Sequence, residues 1–278
     1  VRTTQKQFSS EKRNGLCHIE NLGIQSFCGK KTKREFSSSA TRRTCEPAKS
    51  GRVVNMIDDL IAFLFEIAER ERRKIETSPP TSREGYELED RVSLDVAEFC
   101  QKKGLTDVAP YPPRYELDLP TLSGQKHQFD MVVRRGDDLV MVLECKRRRG
   151  ISTKDQMVCF GGKLVDYGLG FRVHNQAILI RGIFLSTAII PDSSAIYALG
   201  SAILPITPNM PPVQYLLTKI DRSSSLWEPL TELKKLMSIP WPQIIDDAPR
   251  RDAREILSSY KQYYALWTRE VEHKDGKS

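Results

Sequence analysis

Three residues could do chemistry together: Asp130, Glu144 and Lys146. Side chains alternate faces along a strand, so residues two apart share one. In Leu139–Lys146 one face reads Val140, Val142, Glu144, Lys146 and the other Leu139, Met141, Leu143, Cys145. Both faces are apolar, which places the strand inside a covered sheet, yet one face ends in an acid and a base. Gly136-Asp137-Asp138 reads as a turn joining this strand to a preceding one at Gln125–Arg134. If the hairpin turns about Asp137, Val132 faces Val142, Asp130 faces Glu144 and Gln128 faces Lys146. Directly opposed residues hold their Cβ atoms about 4.5–5.5 Å apart, and two carboxylates that close repel unless a cation joins them. Hard oxygen ligands in small number suit Mg²⁺. The ammonium of Lys146 could orient or help deprotonate an attacking water, and the set then serves hydrolysis of a phosphodiester.

The tripeptide alone says little. An acid two residues before a lysine also occurs at Glu232/Lys234, Glu272/Lys274 and Asp275/Lys277. Glu144 differs in standing at the end of an apolar strand with an Asp in register on the partner. A surface salt bridge at a sheet edge would explain Glu144 and Lys146, but less easily Asp130.

Around this hairpin the spacing predicts helices at Val53–Glu76, whose Ile57, Leu60, Ile61, Leu64, Ile67 and Ala68 recur at helical intervals, and at Tyr86–Lys103, closed by Gly104. The break Thr77–Ser82 is read as a domain boundary. Further expectations are a strand over Arg114–Leu122, a helix over Thr153–Tyr167, one long or two short strands in Gln176–Ile190, a short helix capped by Asp192, a strand at Ala202–Ile206, and helices near Ser225–Met237 and Ala248–Val271. The organisation is thus a basic tail (1–50), a helix and linker (51–82), an α/β domain (83–208) and a helical extension (209–278).

Residues 128–130 (Gln-Phe-Asp) followed by 142–146 (Val-Leu-Glu-Cys-Lys) resemble the PD-(D/E)xK nuclease superfamily, with Phe129 where that motif carries Pro. The likeness spans about residues 85–207. It extends to Gly85-Tyr86-Glu87-Leu88-Glu89, similar to the family's first helix, and to residues 182–187 and 202–206, similar to the later strand–helix–strand of Mrr-like endonucleases and archaeal Holliday-junction resolvases. The resemblance implies a restriction-endonuclease-like mixed β-sheet flanked by helices, with N- and C-terminal helical extensions. It implies a Mg²⁺- or Mn²⁺-dependent DNA endonuclease, restriction-like or junction-resolving. Asp130, Glu144 and the Cys145 carbonyl would be metal ligands, Lys146 the catalytic lysine and Glu89 the helix glutamate. Gln156 would lie near substrate phosphate. Arg147, Arg148 and Arg149, directly after Lys146, are expected to contact phosphates. Many such enzymes act as dimers so that two strands are cut, and a homodimer is expected here. The rival readings are a catalytically silent nucleic-acid-binding module and a nuclease acting on RNA, because the fold does not set the sugar. Glu89 could instead be a first-turn acid serving the helix dipole; Tyr260, Tyr263, Tyr264 and Trp267 could stack on bases, but their spacing is also that of ordinary helix packing, the reading preferred here.

The net charge is +7. Residues 1–50 hold 11 Lys and Arg against 4 Asp and Glu, so the tail carries the whole excess. Nucleic-acid arguments about the rest must rest on local patches. No apolar run suits a membrane span. The six cysteines form no C-x-x-C pair; Cys100, Cys145 and Cys159 sit in apolar patterns, as packed reduced thiols do, and Cys17, His18, Cys28 and Cys45 match no standard zinc spacing. A reducing, cytoplasmic setting is expected. The tail is rich in Ser, Thr, Lys and Arg with no apolar period, which reads as disorder; its composition also resembles a mitochondrial transit peptide. The alternative is a start at Met56. Deleting residues 1–50 should leave a core that unfolds cooperatively and stays active, with weaker DNA binding at low salt; thermal unfolding and salt-titrated binding of the truncated chain check both.

Overall fold

The computed structural model describes residues 50–77, 83–105, 108–240 and 252–275. The readings of residues 1–49, including the zinc and transit-peptide readings, and the linker at 78–82 fall outside them. Two helices open the described chain, α1 (Ser50–Thr77) and α2 (Arg83–Lys102). Strands β1 (Val108–Pro110), β2 (Tyr115–Glu116), β3 (Gln128–Phe129), β4 (Met131–Arg135) and β5 (Leu139–Lys146) follow, then α3 (Lys154–Val173), β6 (Leu179–Ser186), α4 (Asp192–Gly200) and β7 (Ile203–Ile206). Helices α5 (Val213–Lys219), α6 (Trp227–Met237) and α7 (Ala253–Asp275) complete it.

Five strands make one mixed sheet in the order β1-β4-β5-β6-β7, flanked by helices. β1, β4 and β5 are antiparallel neighbours, and β5, β6 and β7 run parallel. The strand read as fully covered, β5, is central, and residues 139–143 are all buried. Alternation sorts the layers. Gly182 of β6 pairs with Val142, and a Cβ on it would lie 2.5 Å from Leu164 Cδ1 and 3.1 Å from Phe160. That bare position lets α3 sit close on the face bearing Val142 and Glu144. Arg147, on the opposite parity, reaches Glu71 of α1 on the other side. Ile57, Leu60, Ile61, Leu64 and Ile67 of α1 belong to the same buried cluster as the sheet, as do Leu230, Leu233, Ile256 and Leu257 of α6 and α7.

The hairpin register is as expected, with Val132 opposite Val142, but the first strand is not continuous. The β4–β5 ladder stops at Met131–Leu143, and beyond the bend at Asp130 residues 128–129 leave to pair with β2. Phe129 explains the departure: it is fully buried against Phe160 and Tyr167 of α3, which draws the chain off the ladder. The expected strand over Arg114–Leu122 shrinks to two residues, because Pro120–Gly124 instead lies against α3, where Leu122 N donates to Asp166 O at 2.9 Å. Pro110 closes an edge strand not foreseen, as a residue without an N–H can. α3 runs six residues beyond Tyr167, Gln176–Ile190 contains a single strand, and Pro191 rather than Asp192 stands at the N-cap of α4. α5 was not foreseen. Cys100 and Cys145 are buried free thiols, whereas Cys159 is exposed, contrary to its apolar surroundings in sequence. Among the described residues no helix is long and apolar enough to cross a membrane.

A Cβ at Gly170 of α3 would meet Pro120 O and Thr121 Cα at 2.5 Å, both backbone atoms that cannot rotate aside. Gly170→Ala should therefore destabilise by up to about 2 kcal/mol, an overpacking cost of roughly 1–3 kcal/mol less a helix-propensity gain of about 1 kcal/mol. Urea unfolding measures it, and a neutral or stabilising result would show that the loop yields.

Candidate active site

Asp130 stands at the bend where the chain leaves β4, and Glu144 and Lys146 stand at the end of β5. Lys146 Nζ lies 2.7 Å from Glu144 Oε1 and 3.5 Å from Asp130 Oδ2. Asp130 Oδ2 also accepts the Cys145 N–H at 2.6 Å, so the carboxylate takes over where the ladder ends. The Asp130, Glu144 and Lys146 side chains are 16%, 15% and 22% exposed, leaving each polar tip reachable from a largely desolvated wall. Burial raises the Asp130 carboxyl above its ordinary range, and the Glu144 charge raises it further, against the pull of Lys146. For Lys146, burial alone would lower the ammonium pKa, but Asp130 and Glu144 together raise it. At neutral pH the lysine is a donor held between two acids.

Glu89 joins this group. Burial raises its carboxyl, and the charge of Asp130 adds to the rise while Lys146 opposes it. The helix begins at Arg83, three residues earlier than expected, so Glu89 lies in the second turn and the helix-dipole explanation loses its basis. Arg114 holds it, with Nη1 3.4 Å from Glu89 Oε2 and Nη2 3.1 Å from Asp90 Oδ1. Arg114 has φ +57°, a left-handed conformation an arginine adopts only under constraint. Its N–H donates to Asp130 O at 3.2 Å and its carbonyl accepts from Gln128 Nε2 at 2.7 Å, so the strained residue fixes the bend that presents Asp130.

Gln156 and the arginine run are distributed differently. Gln156, half-buried on the first turn of α3, pairs through its amide oxygen with Arg148 Nη2 at 2.6 Å and Nη1 at 3.2 Å. Arg147 points to the other side of the sheet, its Nε 3.9 Å from the fully buried Glu71. Arg149 donates to Ile75 O, one of the last-turn carbonyls that α1 cannot satisfy internally. Of the three arginines, only Arg148 is kept on the rim beside Gln156; Arg147 and Arg149 hold α1 to the sheet.

Lys163 was not singled out by sequence reasoning. Its Nζ lies 3.4 Å from Glu144 Oε2, 3.0 Å from Gln128 O and 5.4 Å from the Phe129 ring centre. It follows Gln156 by seven residues, two helical turns on the same face, and that spacing was the available signal.

Among the described residues no group of three or more His, Cys, Asp or Glu side chains is placed to hold a metal ion. The donor set here is smaller: two converging carboxylates, with the Cys145 backbone between them. Such a set suits a hard cation that takes few protein ligands and completes its shell with water and substrate, and the acids' mutual repulsion, now met by two ammonium groups, is the electrostatic condition for binding one. Compared with known proteins, the chain matches no family model and no curated protein significantly.

The raised Asp130 pKa means that the folded chain binds this proton more tightly than the unfolded chain. The resulting penalty is present above the ordinary carboxylate range, grows until the folded pKa is passed, and disappears as pH falls below that range. In EDTA, Asp130→Asn should therefore hold or raise the Tm at pH 7, with the difference closing towards about pH 4. A lower Tm at pH 7 would show that the ion pair with Lys146 outweighs the crowding.

Proposed function

We propose that this chain is a metal-dependent endonuclease that hydrolyses DNA phosphodiester bonds, with a restriction-endonuclease-like core and a restriction-like or junction-resolving action. One observation carries the reading: two largely desolvated carboxylates, Asp130 and Glu144, converge on the Lys146 ammonium at the end of the central strand. Asp130, Glu144 and the Cys145 carbonyl would hold Mg²⁺ or Mn²⁺. Bound there, such an ion supplies positive charge against the phosphate and acidifies an attacking water.

The chain's own groups have separate tasks. Lys146 is charged at neutral pH, so it donates hydrogen bonds to the attacking oxygen or to the non-bridging phosphate oxygens as negative charge builds there. Lys163 lies within reach of Glu144 and offsets its charge from the α3 side. Glu89, with its raised pKa, is placed to take a proton near Asp130. Arg148 and Gln156 flank the site and are suited to position a neighbouring phosphate. A homodimer would bring two such sites to two strands.

A catalytically silent DNA-binding module would keep the same charges but not need them all, and metal-dependent nicking of plasmid DNA separates the two. RNA in the same assay tests the sugar. Lys146→Ala should lower cleavage by about 100-fold or more, as removal of a transition-state donor does. Its Mg²⁺ affinity should hold or rise, because the ammonium competes for the same carboxylates. Glu144→Ala should lose both. Calorimetric metal titration run beside nicking checks this, and normal cleavage by Lys146→Ala would reduce that lysine to a salt-bridge partner.

A further inference from the structure

The two oxygens of Glu144 are divided between two ammonium groups. Lys146 Nζ lies 2.7 Å from Oε1 and Lys163 Nζ 3.4 Å from Oε2. The two lysines are held differently. Lys146 stands on β5 itself and also meets Asp130 Oδ2 at 3.5 Å, so two carboxylates keep it. Lys163 reaches across from α3. Its ion pair with Glu144 is the longer one, and its hydrogen bond at 3.0 Å goes to a neutral acceptor, the Gln128 carbonyl. Its side chain is 28% exposed and Gln128 beside it is exposed, so this flank of the site opens to solvent. Gln156, already placed near the approaching phosphate, lies two helical turns earlier on the same face of α3.

A divalent ion held by Asp130 and Glu144 would stand close to both ammonium groups, and like charges at such distances repel strongly beside a desolvated wall. One ammonium must give way. Lys163 has the longer ion pair, the open flank and a flexible four-carbon stem. Once released, it lies on the side from which a phosphodiester reaches the acids. We infer that Lys163 is a displaceable counter-ion that couples metal binding to DNA binding: it gives up Glu144 when a divalent ion binds and takes a DNA phosphate instead. The DNA half rests on the nuclease reading, whereas the displacement requires only that the two acids bind an ion. Ligands coupled in this way raise each other's affinity by the same factor. A lysine that merely braced Glu144 would act in the opposite direction, because its loss would loosen the carboxylate and weaken the metal site.

The test is Mn²⁺ binding by the full chain without DNA, read from the EPR signal of the free ion. Lys163→Met keeps an apolar stem beside Phe129 and should tighten Mn²⁺ about two- to fivefold, the strength of a partly exposed ion pair that no longer has to be broken. Lys163→Gln should do the same, and it keeps the question decidable if the methionine variant fails to fold. Lys235→Met controls for charge alone. Lys235 pairs with Glu232 on α6, and Ser238 at the end of that helix meets Arg181 near the start of β6, the opposite end of the sheet from the acids. Its loss should leave Mn²⁺ affinity unchanged. In a second arm, anisotropy of a labelled duplex, checked to be intact, compares EDTA with Ca²⁺, a hard cation that also takes oxygen ligands. Ca²⁺ should raise wild-type affinity at least about fivefold, the low end of such couplings, and Lys163→Met should lose at least about half of that gain. Unchanged or weaker Mn²⁺ binding in both Lys163 variants overturns the inference and leaves the nuclease reading intact. Equal tightening in Lys235→Met, or a Ca²⁺ gain indifferent to Lys163, also overturns it. Tightening and loss of the gain in a protein that never nicks plasmid DNA with Mg²⁺ or Mn²⁺ would instead sink the nuclease reading and leave Lys163 standing as a metal-released DNA contact.

Discussion

Asp130 and Glu144 place two like charges at the end of a strand that is otherwise sealed in apolar packing, and the surrounding structure is arranged to answer their repulsion. Lys146 contacts both, Lys163 reaches Glu144 from α3, and the Cys145 N–H bonds Asp130. Each answer depends on a specific piece of backbone. Lys163 can reach because Gly182 lets α3 lie close to the sheet. Cys145 N meets Asp130 because the β4–β5 ladder ends one residue earlier. The bend there is held by Phe129 in the α3 aromatic cluster and by Arg114 in its left-handed conformation. Crowded charge in a low-dielectric wall is costly, and here the cost is offset by the ammonium groups of Lys146 and Lys163.

A second charged centre supports the first from the opposite face. Glu71 of α1 is fully buried, with Lys74 Nζ at 2.8 Å, Arg91 Nη2 at 3.2 Å and the Nε atoms of Arg70 and Arg147 at 3.8 and 3.9 Å. It ties α1, α2 and the end of β5 together. Buried ion clusters add little net stability over apolar packing, but removing one member leaves the others uncompensated. The outcome is geometric: α1 is held where its basic turns face α7, and the residues after Lys146 cannot swing freely. The arginine run is thus divided between tethering α1 and lining the site.

The legible parts of the fold were those written in local pattern. The apolar run of β5, the Gly136 turn and the hairpin register followed from period-two alternation, and the main helices from their apolar intervals. The strand break at Asp130 was not legible, because it depends on Phe129 finding Phe160 and Tyr167 some thirty residues away. Cys159 misled for a related reason: its neighbours are apolar, but its own helical phase faces solvent. For the cluster, Glu144 and Lys146 could be placed together because strand geometry sets which side chains share a face, whereas the expected ladder pairs Asp130–Glu144 and Gln128–Lys146 do not form and Asp130 reaches Lys146 from the bend. Lys163 could not be placed, since nothing local says how closely a helix will approach a sheet.

By itself the sequence determined which residues carry charge into an apolar strand and, through alternation, that Glu144 and Lys146 share a face. Those are consequences of backbone stereochemistry, which acts over a few residues. Asp130, expected opposite Glu144 in the ladder, reaches them instead from the bend where the ladder has ended. Only the tertiary structure decided that Arg147 and Arg149 turn to α1 while Arg148 stays on the rim, that Glu89 lies within the field of Asp130, and that Tyr264 stacks between Tyr260 and Trp267 along α7. Three consecutive arginines look alike in sequence; they separate because adjacent strand-end residues point to opposite sides, and each side offers a different partner. Long-range packing chooses those partners, and no local period records the choice.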